Sequence, residues 1–167
     1  LACGKSGLYV LDISDPYSPR EVSHFTAGGH VNDVFLDSKL AYMTSVESGL
    51  YILDFTDPSR PREVSHFNTS GIRDVIVYDN HAYITCIHSG LYILDITDPS
   101  LPRQISHVND IGEVESISIR DNHAYLACGK SGLYVLDISD PYSPEKITCF
   151  RPGGRVRRIF IHSHYVY

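Results

Sequence analysis

One eleven-residue block recurs four times in this chain, and few folds accommodate it. Ser131 to Pro141 reads SGLYVLDISDP, and Ser6 to Pro16 is identical. Ser48 to Pro58 reads SGLYILDFTDP, and Ser89 to Pro99 reads SGLYILDITDP. The glycines of the four copies, Gly7, Gly49, Gly90 and Gly132, are 42, 41 and 42 residues apart. Self-similarity at such a period marks a tandem repeat architecture rather than one ordinary domain of 167 residues. It constrains the fold far more than the activity, because a repeat scaffold takes its function from what sits on it.

Each unit holds four short apolar runs separated by turn residues. In the second unit they are Val31 to Leu36, Ala41 to Thr44, Leu50 to Asp54 and Glu63 to Phe67. Their length and their Val, Ile, Tyr and Phe content specify strands. Asp37-Ser38, Asp79-Asn80 and Asp121-Asn122 read as tight hairpin turns between the first two strands. The Asp-Pro-x-x-Pro segments end the third strand, since proline lacks an amide donor and the aspartate caps the turn. Leu50 and Ile52 point to one face of the third strand, Tyr51 and Leu53 to the other. A sheet apolar on both faces needs cover on both sides, and identical neighbours supply it. The predicted fold is therefore all-β: a β-propeller of four-stranded antiparallel blades, about 42 residues per repeat, four repeats over residues 1–167.

The pattern V-x-D-V … H-A-Y-I-T … S-G-L-Y-I-L-D-I-T-D-P-S-x-P, nearly unbroken from Arg73 to Pro102, resembles the LVIVD-repeat β-propellers. The resemblance implies a propeller of the cell surface or extracellular space, and it brings no catalytic motif with it. Members of that family usually carry more repeats than are seen here.

The two ends fall inside one strand. Tyr167 aligns with Tyr125, and Leu1 with Leu126; Leu1 to Pro19 and Leu126 to Pro144 are identical throughout. Three arrangements fit: a segment of a larger propeller, which is the favoured expectation, two termini that meet in one closed ring, or two chains that complete each other's split strand. An isolated open arc is disfavoured, since it leaves strand edges and apolar blade faces in water.

Composition narrows function mainly by exclusion. A net charge of −6 does not suggest a nucleic-acid partner. No apolar run reaches the ~18–20 residues of a membrane-spanning helix. The Asn68-Thr69-Ser70 sequon carries little weight alone. Gly4-Lys5-Ser6 and Gly129-Lys130-Ser131 lack the upstream glycine and following helix of a phosphate loop. No nucleophile elbow, catalytic triad order or acidic pair stands out, so no catalytic residue and no cofactor is assigned.

Residues repeated in every unit read as scaffold. Such are the tyrosine columns Tyr42, Tyr83, Tyr125, Tyr167 and Tyr9, Tyr51, Tyr92, Tyr134. Asp12, Asp54, Asp95 and Asp137, with Asp15, Asp57, Asp98 and Asp140, read as turn and cap residues rather than calcium ligands. His24, His66, His107 and Cys149 form one column; Cys3, Ser45, Cys86 and Cys128 form another. The first column ends the outermost strand, where equivalent positions of different blades lie too far apart to converge on zinc, and the second, on the second strand, meets the same objection less severely, so no metal site is assigned.

Variation concentrates at the start of the first strand, which lines the channel of a propeller. Three columns there read His30, Gly71, Glu113, Arg155; Asn32, Arg73, Glu115, Arg157; and Asp33, Asp74, Ser116, Arg158. Polar residues that differ between blades are where specificity resides. The candidate ligand-binding residues are therefore His30, Asn32, Arg73, Glu113, Glu115, Arg155, Arg157 and Arg158. The leading expectation is a non-enzymatic scaffold or protein-interaction module, engaging a protein partner or itself through its blade ends. The alternatives are an anion-binding or enzymatic site at the channel mouth, with Arg73, Arg155, Arg157 and Arg158 as the clamp, and a filament subunit.

Overall fold

The computed structural model describes residues 1–167 and contains strands and turns but no helix. Three complete blades occupy its middle. The first comprises β3 (Val31–Asp37), β4 (Leu40–Ser45), β5 (Gly49–Asp54) and β6 (Arg62–Phe67). The next comprises β7 (Ile72–Tyr78), β8 (His81–Cys86), β9 (Gly90–Asp95) and β10 (Arg103–Val108). The third comprises β11 (Ser116–Arg120), β12 (His123–Ala127), β13 (Leu133–Asp137) and β14 (Glu145–Phe150). Each is a four-stranded antiparallel meander in sequence order. A two-stranded sheet precedes them, β1 (Leu8–Asp12) with β2 (Arg20–Phe25), and another follows, β15 (Ile161–His162) with β16 (Tyr165–Val166).

The strand boundaries agree with the sequence reading to within a residue, with one correction at a turn. Asp37 belongs to β3, and the hairpin residues are Ser38-Lys39 rather than Asp37-Ser38. Ser38 takes the left-handed φ of +55° that Asp79 and Asp121 take at +48° and +49° in the later units. The right-handed twist of the flanking strands favours that conformation in a two-residue turn.

The core lies between blades, not within a sheet. Leu50 and Ile52 of β5 pack with Ile72, Ile84 and Leu94 of the following blade. Tyr51 and Leu53 pack the opposite way, with Leu8 and Val31. The next interface repeats the scheme with Leu91, Ile93, Ile117 and Leu126. Two-sided burial of one strand explains why SGLYILD recurs: every position in it meets a neighbour that is itself a repeat.

Polar contacts repeat as faithfully. Ser23, Ser65 and Ser106 each donate a hydroxyl to a proline carbonyl of the next blade: Pro58, Pro99 and Pro141, at 2.6, 2.6 and 2.8 Å. The rings of Tyr9, Tyr51 and Tyr92 stack on His24, His66 and His107 with centroids 4.2, 4.0 and 4.0 Å apart. The histidine Nε2 atoms meet the main-chain carbonyls of Ser6, Ser48 and Ser89. In the fourth unit the Cys149 thiol takes that place, 3.4 Å from the Ser131 carbonyl. The histidine column is thus a hairpin fastening.

The sheets form an open series. Residues 1–3 pair with β1 and the turn before it, through Leu1 with Tyr9, Ala2 with Leu8 and Cys3 with Gly7. Tyr167 pairs only with Phe160. The two halves of the split strand do not meet, so closure within one chain is not what the structure shows.

Candidate inner-rim site

The first strand of each blade lies beside the first strand of the next, and this proximity builds the only stretch where variable polar residues from several units converge. Val31 and Ile72 open β3 and β7, Val114 lies just before β11, and all three are buried. The polar residues around them extend along the inner rim. Asn32 Nδ2 donates to the Ile72 carbonyl at 3.2 Å, tying one blade to the next.

A cavity of about 250 Å³ opens here, lined by Asn32, Asp33, Arg73, Asp74, Glu115, Ser116, Ile117, Arg158 and Ile159. Four of the sequence candidates therefore share one cavity: Asn32, Arg73, Glu115 and Arg158. Arg157 is exposed and does not line it. A larger hollow of about 690 Å³ lies elsewhere, against the outer strands β10 and β14, and involves none of the candidates.

Arg155 is held by two carboxylates. Its Nε donates to Glu115 and its Nη2 to Glu113, each at 2.7 Å. These acids are 40 and 42 residues away and raise the guanidinium pKa, Glu115 chiefly through its hydrogen bond. Arg155 therefore does not stand free beside Arg73 and Arg158 as an anion clamp. His30 sits apart: its main-chain amide donates to Glu47 Oε2 at 2.6 Å, and its ring lies against Gly4. That amide is the main reason the Glu47 carboxyl is held below its usual range.

The feature missed in the sequence is an acidic pair. Asp33 and Asp74 occupy one column, and their carboxyls meet across the blade interface. Burial, reinforced by Asp33, pushes the Asp74 carboxyl up to about 6, opposed by the Ile117 amide that it accepts at 3.0 Å. The column itself held the signal, since innermost strands are the one place where equivalent positions of successive blades touch. The break at Ser116 and Arg158 concealed it.

The thiols do not resemble nucleophiles. Burial pushes Cys86 and Cys128 up to about 12, whereas reactive cysteines are lowered by nearby positive charge. Cys128, one residue beyond β12, and Cys149 of β14 are both free thiols. No group of three or more His, Cys, Asp or Glu side chains is placed to hold a metal ion.

Repeating four-stranded blades packed face to face define a β-propeller-type repeat protein. The LVIVD repeat matches residues 1–27, 28–69, 72–110 and 111–149, so the chain belongs to the LVIVD-repeat family. Two of those matches coincide with whole blades, β3–β6 and β7–β10. No curated protein matches the chain significantly. Among solved structures, it is similar to the computationally designed Ika8 protein, with a TM-score of 0.67 and 8% identity over 88% of this chain and 45% of that one. The designed Ika4 protein gives 0.62 and 8% over 81% and 82%. The N-terminal domain of Nup159 gives 0.52 and 16% over 80% and 36%. The chain thus spans under half the length of Ika8 and of the Nup159 domain. At such identities the likeness concerns fold alone.

Proposed function

We propose that this chain is a non-enzymatic protein-interaction module whose binding surface is the inner rim, displayed at the cell surface or in the extracellular space. The observation that carries this reading is the division of labour among its residues. Repeated positions are occupied by packing and hairpin fastening, whereas the variable ones, Asn32, Asp33, Arg73, Asp74, Glu115 and Arg158, collect around one mixed-charge cavity. Interleaved acids and bases suit the side chains of a polypeptide better than a single small anion. The Nup159 similarity supports the reading by analogy, since a related S. cerevisiae structure has Dbp5 bound to Nup159. The location rests on the family resemblance.

A photo-crosslinking residue in place of Arg158, introduced in the native host, tests the binding surface. The expected result is a discrete protein adduct that disappears when Arg73 and Glu115 are reversed in charge. If only dicarboxylates, phosphates or anionic sugars bind, as a raised melting temperature, the anion-site alternative replaces this reading. Protease treatment of intact cells tests the location, with loss of the protein as the expected result.

A further inference from the structure

The charges that line the inner-rim cavity are not equally committed. Glu115 holds Arg155, which Glu113 holds as well. Asp33 and Asp74 meet each other across the blade interface, and Asp74 also accepts the Ile117 amide and faces the Ser116 hydroxyl. Every carboxylate on the lining therefore has a partner within the chain. The two cations do not. Arg73 and Arg158 line the same cavity, yet neither forms an ion pair or donates a side-chain hydrogen bond. They come from different units: Arg73 lies in β7, and Arg158 lies beside the buried Ile159 between β14 and β15. Both are exposed, whereas Asp33 and Asp74 are half-buried, so the guanidiniums stand nearer the solvent.

Size and lining restrict the ligand. At about 250 Å³ the cavity falls below the ~300–1,000 Å³ of ordinary small-molecule sites. It has room for one side chain. Ile117 and Ile159, both buried, give it an apolar wall for methylene groups. Two planar guanidiniums suit a carboxylate, which accepts paired hydrogen bonds from each.

The floor of the cavity modulates that attraction. Asp74 is faced by Asp33 of β3, by Thr85 of β8, by Glu115 and Ser116 at the start of β11, and by Arg73 and Arg158 on the wall. Below about pH 6 Asp74 takes up a proton, and the aspartate pair then carries one charge in place of two. The repulsion felt by an incoming anion falls accordingly.

We propose that the inner-rim cavity receives a carboxylate side chain from an acidic segment of a partner protein, clamped between Arg73 and Arg158, and that the Asp33–Asp74 pair beneath it tightens this capture under mildly acidic conditions. The inference rests on the inner rim being the protein-binding surface.

Hexaglutamate is the probe, with hexalysine, succinate and inorganic phosphate beside it, and calorimetry at about pH 7.5 and about pH 5.5 reads the affinities. The parent is expected to prefer hexaglutamate among the four and to bind it about threefold more tightly at the lower pH. Arg73→Gln combined with Arg158→Gln is expected to lose that binding at both pH values, with circular dichroism showing unchanged sheet content. Asp74→Asn is expected to bind at the higher pH as the parent does at the lower. This variant retains His30, against Gly4, and His88, beside Gly71. Enhancement by acid that survives in it therefore belongs to other groups and overturns the role of the aspartate pair. A preference for hexalysine, or no binding of hexaglutamate at millimolar concentration, overturns the acidic ligand. Succinate or phosphate bound as tightly as hexaglutamate assigns the arginines to a small anion and overturns the protein source. A photo-crosslinking residue in place of Arg157, which is exposed and does not line the cavity, keeps the two readings apart. Absence of any protein adduct defeats the binding surface itself, whereas an adduct that maps to a basic or neutral segment defeats only the acidic clamp.

Discussion

The Asp33 and Asp74 carboxyls meet across a blade interface, with Asp74 also accepting the Ile117 amide of the next blade. Three successive inner strands therefore share one ionisable contact. Around it stand Arg73, Glu115 and Arg158 at the cavity wall, with Ser116 alongside.

This contact makes stability depend on pH in a defined direction. Burial first, and then Asp33, raise the Asp74 carboxyl from 3.8 to about 6. The folded state holds that proton more tightly than the unfolded chain does. The contribution is full below about pH 4, is lost as pH rises to about 6, and is flat above. The shift corresponds to a loss on the order of 3 kcal/mol. Asp74→Asn keeps an acceptor for Ile117 and removes the charge. Its melting temperature is expected to exceed the parent's above pH 6, with the gap closing towards pH 4. A gap that does not vary with pH would contradict the assignment.

The fold was legible because interblade packing imposes repetition. A strand such as β5, buried on both faces, has no freedom to drift, so Leu50, Tyr51, Ile52 and Leu53 announce the architecture. The inner rim was legible as variation at Arg73, Glu115 and Arg158, but its pairing was not. Arg155 finds Glu113 and Glu115 from another unit, and Glu47 finds the His30 amide by a local fold of the chain. The Arg155 contacts follow from the angle between neighbouring blades, which no residue spacing records. Ser38-Lys39 shows a smaller limit: the strand simply extends through Asp37 before the turn begins.

Gly49 is expected to tolerate no side chain. Its φ is +108°, and an added Cβ would lie 2.1 Å from the Phe67 carbonyl oxygen and 2.7 Å from the Thr69 amide. Both are main-chain atoms, so relief requires parting β5 from β6. Gly49→Ala should destabilise by several times the ~1 kcal/mol ordinarily associated with a glycine's conformational freedom. Gly153→Ala has φ +80° but open space around it, and isolates the conformational part. Urea midpoints for the two variants should differ widely; equal losses would count against the clash.

His66 links β6 to the hairpin before β5 through its stack on Tyr51 and its 2.6 Å hydrogen bond to the Ser48 carbonyl. Removing both in His66→Ala should cost about 1–2 kcal/mol. His66→Cys copies the arrangement at Cys149, whose thiol meets the Ser131 carbonyl, and should recover part of the loss. Chemical denaturation of the three proteins gives the ranking, and a cysteine variant no better than alanine would assign the stabilisation to the stack alone.

Thr44 and Thr85 are equivalent by repeat and both fully buried, yet they should respond oppositely to one substitution. Thr44 Oγ1 accepts the Asp33 amide at 3.0 Å. Thr85 pairs with Asp74 in the strand register, but its hydroxyl has no hydrogen-bond partner. A buried polar group without a partner carries a desolvation penalty of ~1–3 kcal/mol, and valine fills nearly the same shape without it. Thr85→Val is thus expected to be neutral or to stabilise by about 1 kcal/mol, whereas Thr44→Val strands the Asp33 amide and should destabilise by about 1–2 kcal/mol. Thermal melts of the pair decide it. A destabilised Thr85→Val would mean that the hydroxyl is satisfied in solution, with a buried water bridging it to the strand that carries Asp74.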